Sequence, residues 1–136
     1  MIYRRLKKEL DYPILKGLWE KSPMKVPPEY DMLPTDGVVV EDKDKGVMGC
    51  LFFFTMSNAS SAIIGFPIFD DDYREDDRDE IINKLFKEVD FLLTYHGYKY
   101  VYHFTNLPFV KQRLQGNGYV FGDRSVDMML KITNQR

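Results

Sequence analysis

The chain is poor in the residues that mark specialised classes of protein. One cysteine, Cys50, stands among 136 residues, which excludes an internal disulfide and a cysteine-anchored zinc site. Histidine is almost as scarce, with only His96 and His103. Long apolar runs are missing too: the longest, residues 47–56 and 62–69, fall far short of the ~20 residues that span a bilayer. No basic-then-apolar leader with a small-residue cleavage site opens the sequence, so the expected setting is reducing and cytoplasmic, with no membrane partner. Internal repeats and low-complexity tracts are also lacking.

What is present is the make-up of a packed domain. Apolar residues are 44% and charged residues 29% of the chain, enough for a core and for solubility. At 16.1 kDa the expectation is one compact domain over residues 1–136. Aromatics are plentiful, with ten Phe, nine Tyr and one Trp. The net charge of −2 hides a segregation. Residues 1–30 carry seven Lys/Arg against four Asp/Glu, and residues 99–136 carry six against two. Residues 70–80 instead carry eight carboxylates against Arg74 and Arg78. A nucleic-acid binder would be basic overall, so no nucleic-acid partner is expected.

Periodicity sets the element order. Residues 2–6 form a short strand. Asp11 reads as a helix N-cap with Pro13 in the first turn, followed by Ile14, Leu15, Leu18 and Trp19 at helical spacing. Four prolines between Ser22 and Thr35 leave a loop with one helical turn around 29–32. Residues 37–40 and 47–55 form a hairpin, with Gly46 suited to a left-handed turn position. Residues 62–69 form a third run of strand type, in which Pro67 deletes one ladder donor and implies an edge, a bulge or a splayed end. From about 76 to 95 an apolar stripe (Ile81, Ile82, Leu85, Phe86, Val89, Leu92, Leu93) lies opposite Lys84, Lys87, Glu88 and Asp90: an amphipathic helix, stopped by Gly97. A strand over 98–104, a short helix over 107–114, a Gly116-Asn117-Gly118 turn and a final strand over 126–132 complete the chain. The fold class is α/β (α+β, mixed sheet), in the order β-α-β-β-β-α-β-α-β.

That order, with Asp11 opening the first helix, Tyr73-Arg74 before the long helix, Asn106 closing the next strand and Gly118-Tyr119 after a short helix, resembles the GNAT superfamily of acetyl-CoA-dependent N-acetyltransferases. The resemblance implies a mixed sheet whose strands around 62–69 and 98–104 are parallel neighbours that splay at one end. It implies acetyl-CoA as cofactor and an amine as substrate. By position, Phe69, Arg74, Asp77, Arg78, Asp79 and Asn106 would face the cofactor. Small divergent proteins of this kind occur among phage-encoded proteins.

The chain departs from the family pattern where the cofactor's diphosphate would lie. Family members commonly read Arg-x-x-Gly-x-Gly/Ala, because orphan helix N–H groups and the positive helix end attract an anion and glycines let it approach. Here the segment reads Arg74-Glu75-Asp76-Asp77-Arg78-Asp79, with aspartates at both small positions. Carboxylates favour a helix start by meeting the same macrodipole, and so take the place of a phosphate. The tyrosine that serves many relatives as acid is replaced by Leu114, and Pro67 offers no N–H to a pantetheine arm.

Other candidates carry bland alternatives beside the chemical ones. His103 is a general base or a structural strand histidine. Glu41 or Asp42 activates an amine through water or is only part of a charged hairpin. Tyr119 and Tyr73 stand in for the missing acid or pack. Asp70, Asp71 and Asp72 offer oxygens to a hard cation but lack the spaced ligands and glycine of a calcium loop, and no metal is expected. His96 sits at a helix C-terminus, where a cation is favourable. Cys50 reads as buried and inert, and Tyr98, Tyr100 and Tyr102 as one packed strand face. Two functions follow: a divergent N-acetyltransferase with an atypical cofactor site, or a GNAT-fold protein without catalysis that binds a protein partner or serves a structural role.

Overall fold

The structure, a computed structural model, describes residues 1–133 except Met24, Glu75, Asn106 and Ser125. Its elements are β1 (Ile2–Arg5), α1 (Lys8–Lys21), a 3-10 turn (Tyr30–Met32), β2 (Gly37–Asp42), β3 (Gly46–Thr55), β4 (Ser61–Phe69), α2 (Arg78–Tyr95), β5 (Tyr100–His103) and α3 (Pro108–Gly116). The five strands form one sheet in sequence order. The first three pairings are antiparallel, and β4 with β5 is parallel, as the chain order predicts. A parallel pair needs a crossover, and α2 supplies it.

The central strands are apolar on both faces because helices cover both. On one face Val39, Cys50, Phe52 and Ile68 meet Leu15, Leu18 and Trp19 of α1, with the Trp19 and Phe52 rings stacked at 6.1 Å. On the other, Val38, Val40, Leu51, Phe53, Ala62 and Ile64 meet Ile81, Leu85, Phe86, Val89 and Leu93 of α2 and Val110 and Leu114 of α3. No helix among the described residues is long and apolar enough to cross a membrane.

Glycines end both α2 and α3 in one way. Gly97 (φ 88°) and Gly118 (φ 90°) take the left-handed position. The N–H of Tyr98 returns to the carbonyl of Leu93, and that of Tyr119 to Leu114. These paired cap bonds satisfy carbonyls that the helix leaves open.

Three sequence expectations change. Asp11 is not the N-cap. The cap position belongs to Lys7, and Asp11 lies one turn inside, 3% exposed, where its carboxylate accepts the Lys7 N–H at 2.8 Å and a two-pronged bond from Arg4 at 2.7 and 2.9 Å. Arg4 also pairs with Glu41, so one guanidinium ties β1, α1 and β2 together. Second, Tyr98, Tyr100 and Tyr102 do not share a packed face. The turn at Gly97 returns Tyr98 to the core, while Tyr100 and Tyr102 are exposed on the face of β5 opposite α2. Third, residues 126–132 are not a strand, and Met128, Met129 and Ile132 are exposed. Alternation alone does not hold a strand; cross-strand partners do, and this segment pairs with none among the described residues.

Burial alone would raise the Asp11 pKa, but the Arg4 fork and the Lys7 N–H outweigh it and hold the carboxyl below its ordinary value. A group with a depressed folded pKa contributes stability above its unfolded value and loses it as pH falls. Asp11→Asn is expected to cost about 2–4 kcal/mol at pH 7, since it leaves Arg4 without its buried partner. That deficit should shrink as pH drops below the ordinary carboxylate value near 3.8. Urea unfolding of both proteins across pH 7 to 3 measures this.

Candidate functional site

The site begins where β4 and β5 part. Their rungs run Ser61–Tyr100, Ala62–Val101, Ile63–Tyr102 and Ile64–His103, and there β5 stops. β4 continues to Phe69, still paired with β3. A wedge therefore opens along the β5 side of β4 from Gly65 onward. Within it the register slips: Cys50 faces Ile68 and Phe52 faces Gly65, so Phe66 and Pro67 together oppose Leu51. This is a bulge, one of the outcomes that Pro67 implies. Phe66 takes φ 50°, a left-handed conformation uncommon for a bulky residue. Its ring lies edge-on to Phe52 at 6.5 Å and tilted against Phe54 at 6.2 Å.

At the far end of β4, a loop leads into α2. Tyr73 is buried there and its hydroxyl donates to Asp42 at 2.9 Å. Its carbonyl accepts from Arg78 at 2.7 Å and from Arg74 at 3.1 Å. The Arg78 guanidinium sits 4.9 Å over the Phe69 ring. Phe69, Arg74 and Arg78 thus do come together at the mouth of the wedge. Asp77 holds the cap position of α2 without a side-chain cap bond. Asn106 lies outside the described residues.

The acidic block is partly neutralised, by cations that sequence spacing does not reveal. Lys21, at the end of α1, bridges Asp70 and Asp72 at 3.1 and 3.2 Å. Asp71 faces Arg78 at 4.0 Å. Asp79 turns away to Arg113 on α3 at 3.2 Å, which also reaches Asn83 at 2.9 Å. Among the described residues, Asp76, Asp77 and Glu80 have no such partner, and no group of three acidic, histidine or cysteine side chains is placed to hold a metal ion. The Asp70 carboxylate instead also accepts the Asp72 N–H.

The catalytic candidates are scattered. Glu41 is paired with Arg4 and sits opposite Val47 at the start of β3, at the other end of the sheet from the apex of the wedge. Tyr119 donates to Asp90 at 3.3 Å, beside a hollow of about 340 Å³ against the outer edge of β5. Burial, reinforced by the Asp90 charge, pushes its hydroxyl pKa far up. Leu114 is buried in the core and has no proton to give. Cys50 is buried, and burial pushes its thiol well up. Only His103 stands at the apex, on the last β4–β5 rung.

A mixed sheet splayed between two parallel strands, bulged in the first and followed by a helix aimed at the opening, decides the fold. The chain has the fold of the GNAT acetyltransferases. An aminoglycoside acetyltransferase from an uncultured soil metagenomic sample, solved with sisomicin, superimposes with a TM-score of 0.70 at 13% identity, over 97% of this chain and 96% of its own. An acetyltransferase from Trypanosoma brucei gives 0.69 at 14% identity over 95% and 99%. A ribosomal-protein-alanine N-acetyltransferase from Brucella melitensis gives 0.69 at 11% over 96% and 100%. No family model matches the sequence, and no curated protein matches it. The GNAT likeness therefore lives in the backbone path.

Arg113 and Lys21 are expected to differ in weight. The Arg113 side chain is 17% exposed against 48% for Lys21. Arg113→Met should cost about 1–2 kcal/mol by stranding Asn83 and freeing α3 from α2, whereas Lys21→Met should leave the thermal midpoint unchanged within error. Thermal melts followed by circular dichroism compare them.

Proposed function

We propose that the protein is a GNAT-superfamily N-acetyltransferase that transfers an acetyl group from acetyl-CoA to an amine. The observation that carries this reading is the wedge: β4 runs on from Gly65 to Phe69 with no strand among the described residues on its β5 side, so its backbone is open to an extended ligand, as a sheet edge is to a peptide. The donor's thioester supplies an activated acyl group when bound. The chain's part is to hold the extended arm along β4, anchor its anionic end and orient an amine at the apex.

Arg74, Arg78 and Phe69 suit the anchoring task, and Asp76, Asp77 and Glu80 oppose it. A carboxylate about 5 Å from a phosphate charge costs roughly 3 kcal/mol at an effective dielectric of ~20, before screening. Asp79 contributes little to that cost, because Arg113 holds it. The donor is accommodated, but weakly. A second reading, a GNAT-fold protein that binds a partner without catalysis, draws on the same carboxylates and on Leu114 in place of an acid.

Calorimetric titration with acetyl-CoA at low salt, with and without Mg²⁺, separates the two. Asp77→Asn should tighten binding roughly tenfold after screening, while Asp79→Asn should change it by less than about threefold because its charge is already paired. Release of free thiol with a panel of small amines and amine-bearing peptides should accompany binding. Absence of binding in both the natural protein and Asp77→Asn would sink the acetyltransferase reading and favour the second.

A further inference from the structure

The geometry points to His103 as the proton carrier of this reaction, a catalytic residue that accepts the proton of the attacking amine and returns it to the departing sulfur. The inference rests on the acetyltransferase reading and goes beyond it by naming the group that does the acid–base work. Four observations lead there.

The first is position: His103 closes the last rung between β4 and β5, opposite Ile64, where the strands begin to part. The second is a fixed ring. The imidazole stacks on Phe86 of α2 at 6.2 Å with 24° between planes, so it is held by packing. The third is a pair of nitrogens that the protein leaves unused. Nδ1 is buried without a hydrogen-bond partner, alone in this among the buried side-chain nitrogens and oxygens of the described residues. The ring as a whole is half-buried. With Nδ1 sealed, the proton goes to Nε2, on the rung where the two strands begin to part. The fourth is elimination: Glu41 is tied to Arg4, Tyr119 to Asp90, and Leu114 is apolar.

Burial holds the His103 pKa below its ordinary 6.5, and no charged group contributes to that shift. The ring is therefore neutral at neutral pH, as a base must be. In the reaction the amine lone pair attacks the thioester carbonyl carbon and a C–N bond forms. The surplus proton on that nitrogen passes to Nε2. The C–S bond breaks with its electron pair on sulfur, and the imidazolium gives its proton to the thiolate. That return is downhill, since a thiol titrates near ~8.5 and the imidazolium below its ordinary 6.5. The products are amide and thiol, and His103 ends neutral. One histidine thus replaces the separate base and acid, which explains how a leucine at 114 is tolerated.

His103→Gln and His103→Ala are compared with the natural protein. Expected is a fall in kcat of about 10²–10⁴-fold, with acetyl-CoA binding by calorimetry within about twofold, and partial recovery of the Ala variant by added imidazole. A second measurement uses no turnover. With His96→Gln as background, proton NMR follows the single remaining imidazole, which should titrate below 6.5 and shift on addition of acetyl-CoA. If the natural protein turns over and His103→Gln does so equally, or if the ring signals ignore saturating acetyl-CoA, the inference is overturned and the acetyltransferase reading stands. If the natural protein neither binds acetyl-CoA nor releases thiol, both fall. If neither variant folds, the NMR titration decides.

Discussion

Pro67 has no N–H to donate, yet it lies near the end of a strand that runs through the middle of the sheet. A central strand with a regular ladder on both sides would have to forfeit bonds there. The structure resolves this by inserting one residue into β4, turning Phe66 into a left-handed conformation, and letting β5 stop two positions earlier than Phe66. The bulge, the start of the wedge and the apex at His103, on the rung of Ile64, all lie within three residues of that missing donor. The residue that interrupts regular pairing thus borders the opening that the proposed chemistry uses.

Electrostatics at the other end of β4 obeys a different logic. The start of α2 attracts negative charge, and this chain supplies its own in side chains. Three of the aspartates nearest to it in the loop are balanced by Lys21 and Arg78, and a fourth is drawn off by Arg113. What remains at the helix cap is a competition between two arginines gathered on one carbonyl and three carboxylates without an ion-pair partner among the described residues. Such a site binds an anion only as tightly as that balance allows, and a neutral change at a single position shifts it.

Much of the fold is legible along the chain because its signals are local. Gly46 and Gly97 mark their turns by a conformation few other residues adopt, the 3.6-residue stripe from Ile81 to Leu93 marks α2, and Pro67 marks the break in β4. The readings that failed depend on distant partners. Asp11 resembles a helix cap until Arg4 is known to lie across from it on β1. Residues 126–132 have the alternation of a strand but no neighbour among the described residues to complete one. For the site, sequence brought forward Phe69, Arg74, Arg78 and His103, yet the roles of Lys21 and Arg113 as countercharges depend on which helix ends lie beside the loop, which no spacing encodes. The low identity to other GNAT-fold chains has the same root: alternation, caps and breaks can be met by many residues.

Strand order equal to chain order has a kinetic consequence. Strands 2 to 4 join neighbours across short turns, so most of the sheet closes small loops, and small loops close quickly. The β1–β2 and β4–β5 pairings are the exceptions: the first closes across α1, the second waits for α2 to form and cross over, and each consists of four rungs. The β2–β3–β4 meander is therefore the natural first unit of folding, and β5 with α3 a later one. The wedge lies on the boundary between the two units. A local opening there would leave the β2–β3–β4 ladder paired, and that seam is the one through which a ligand would enter.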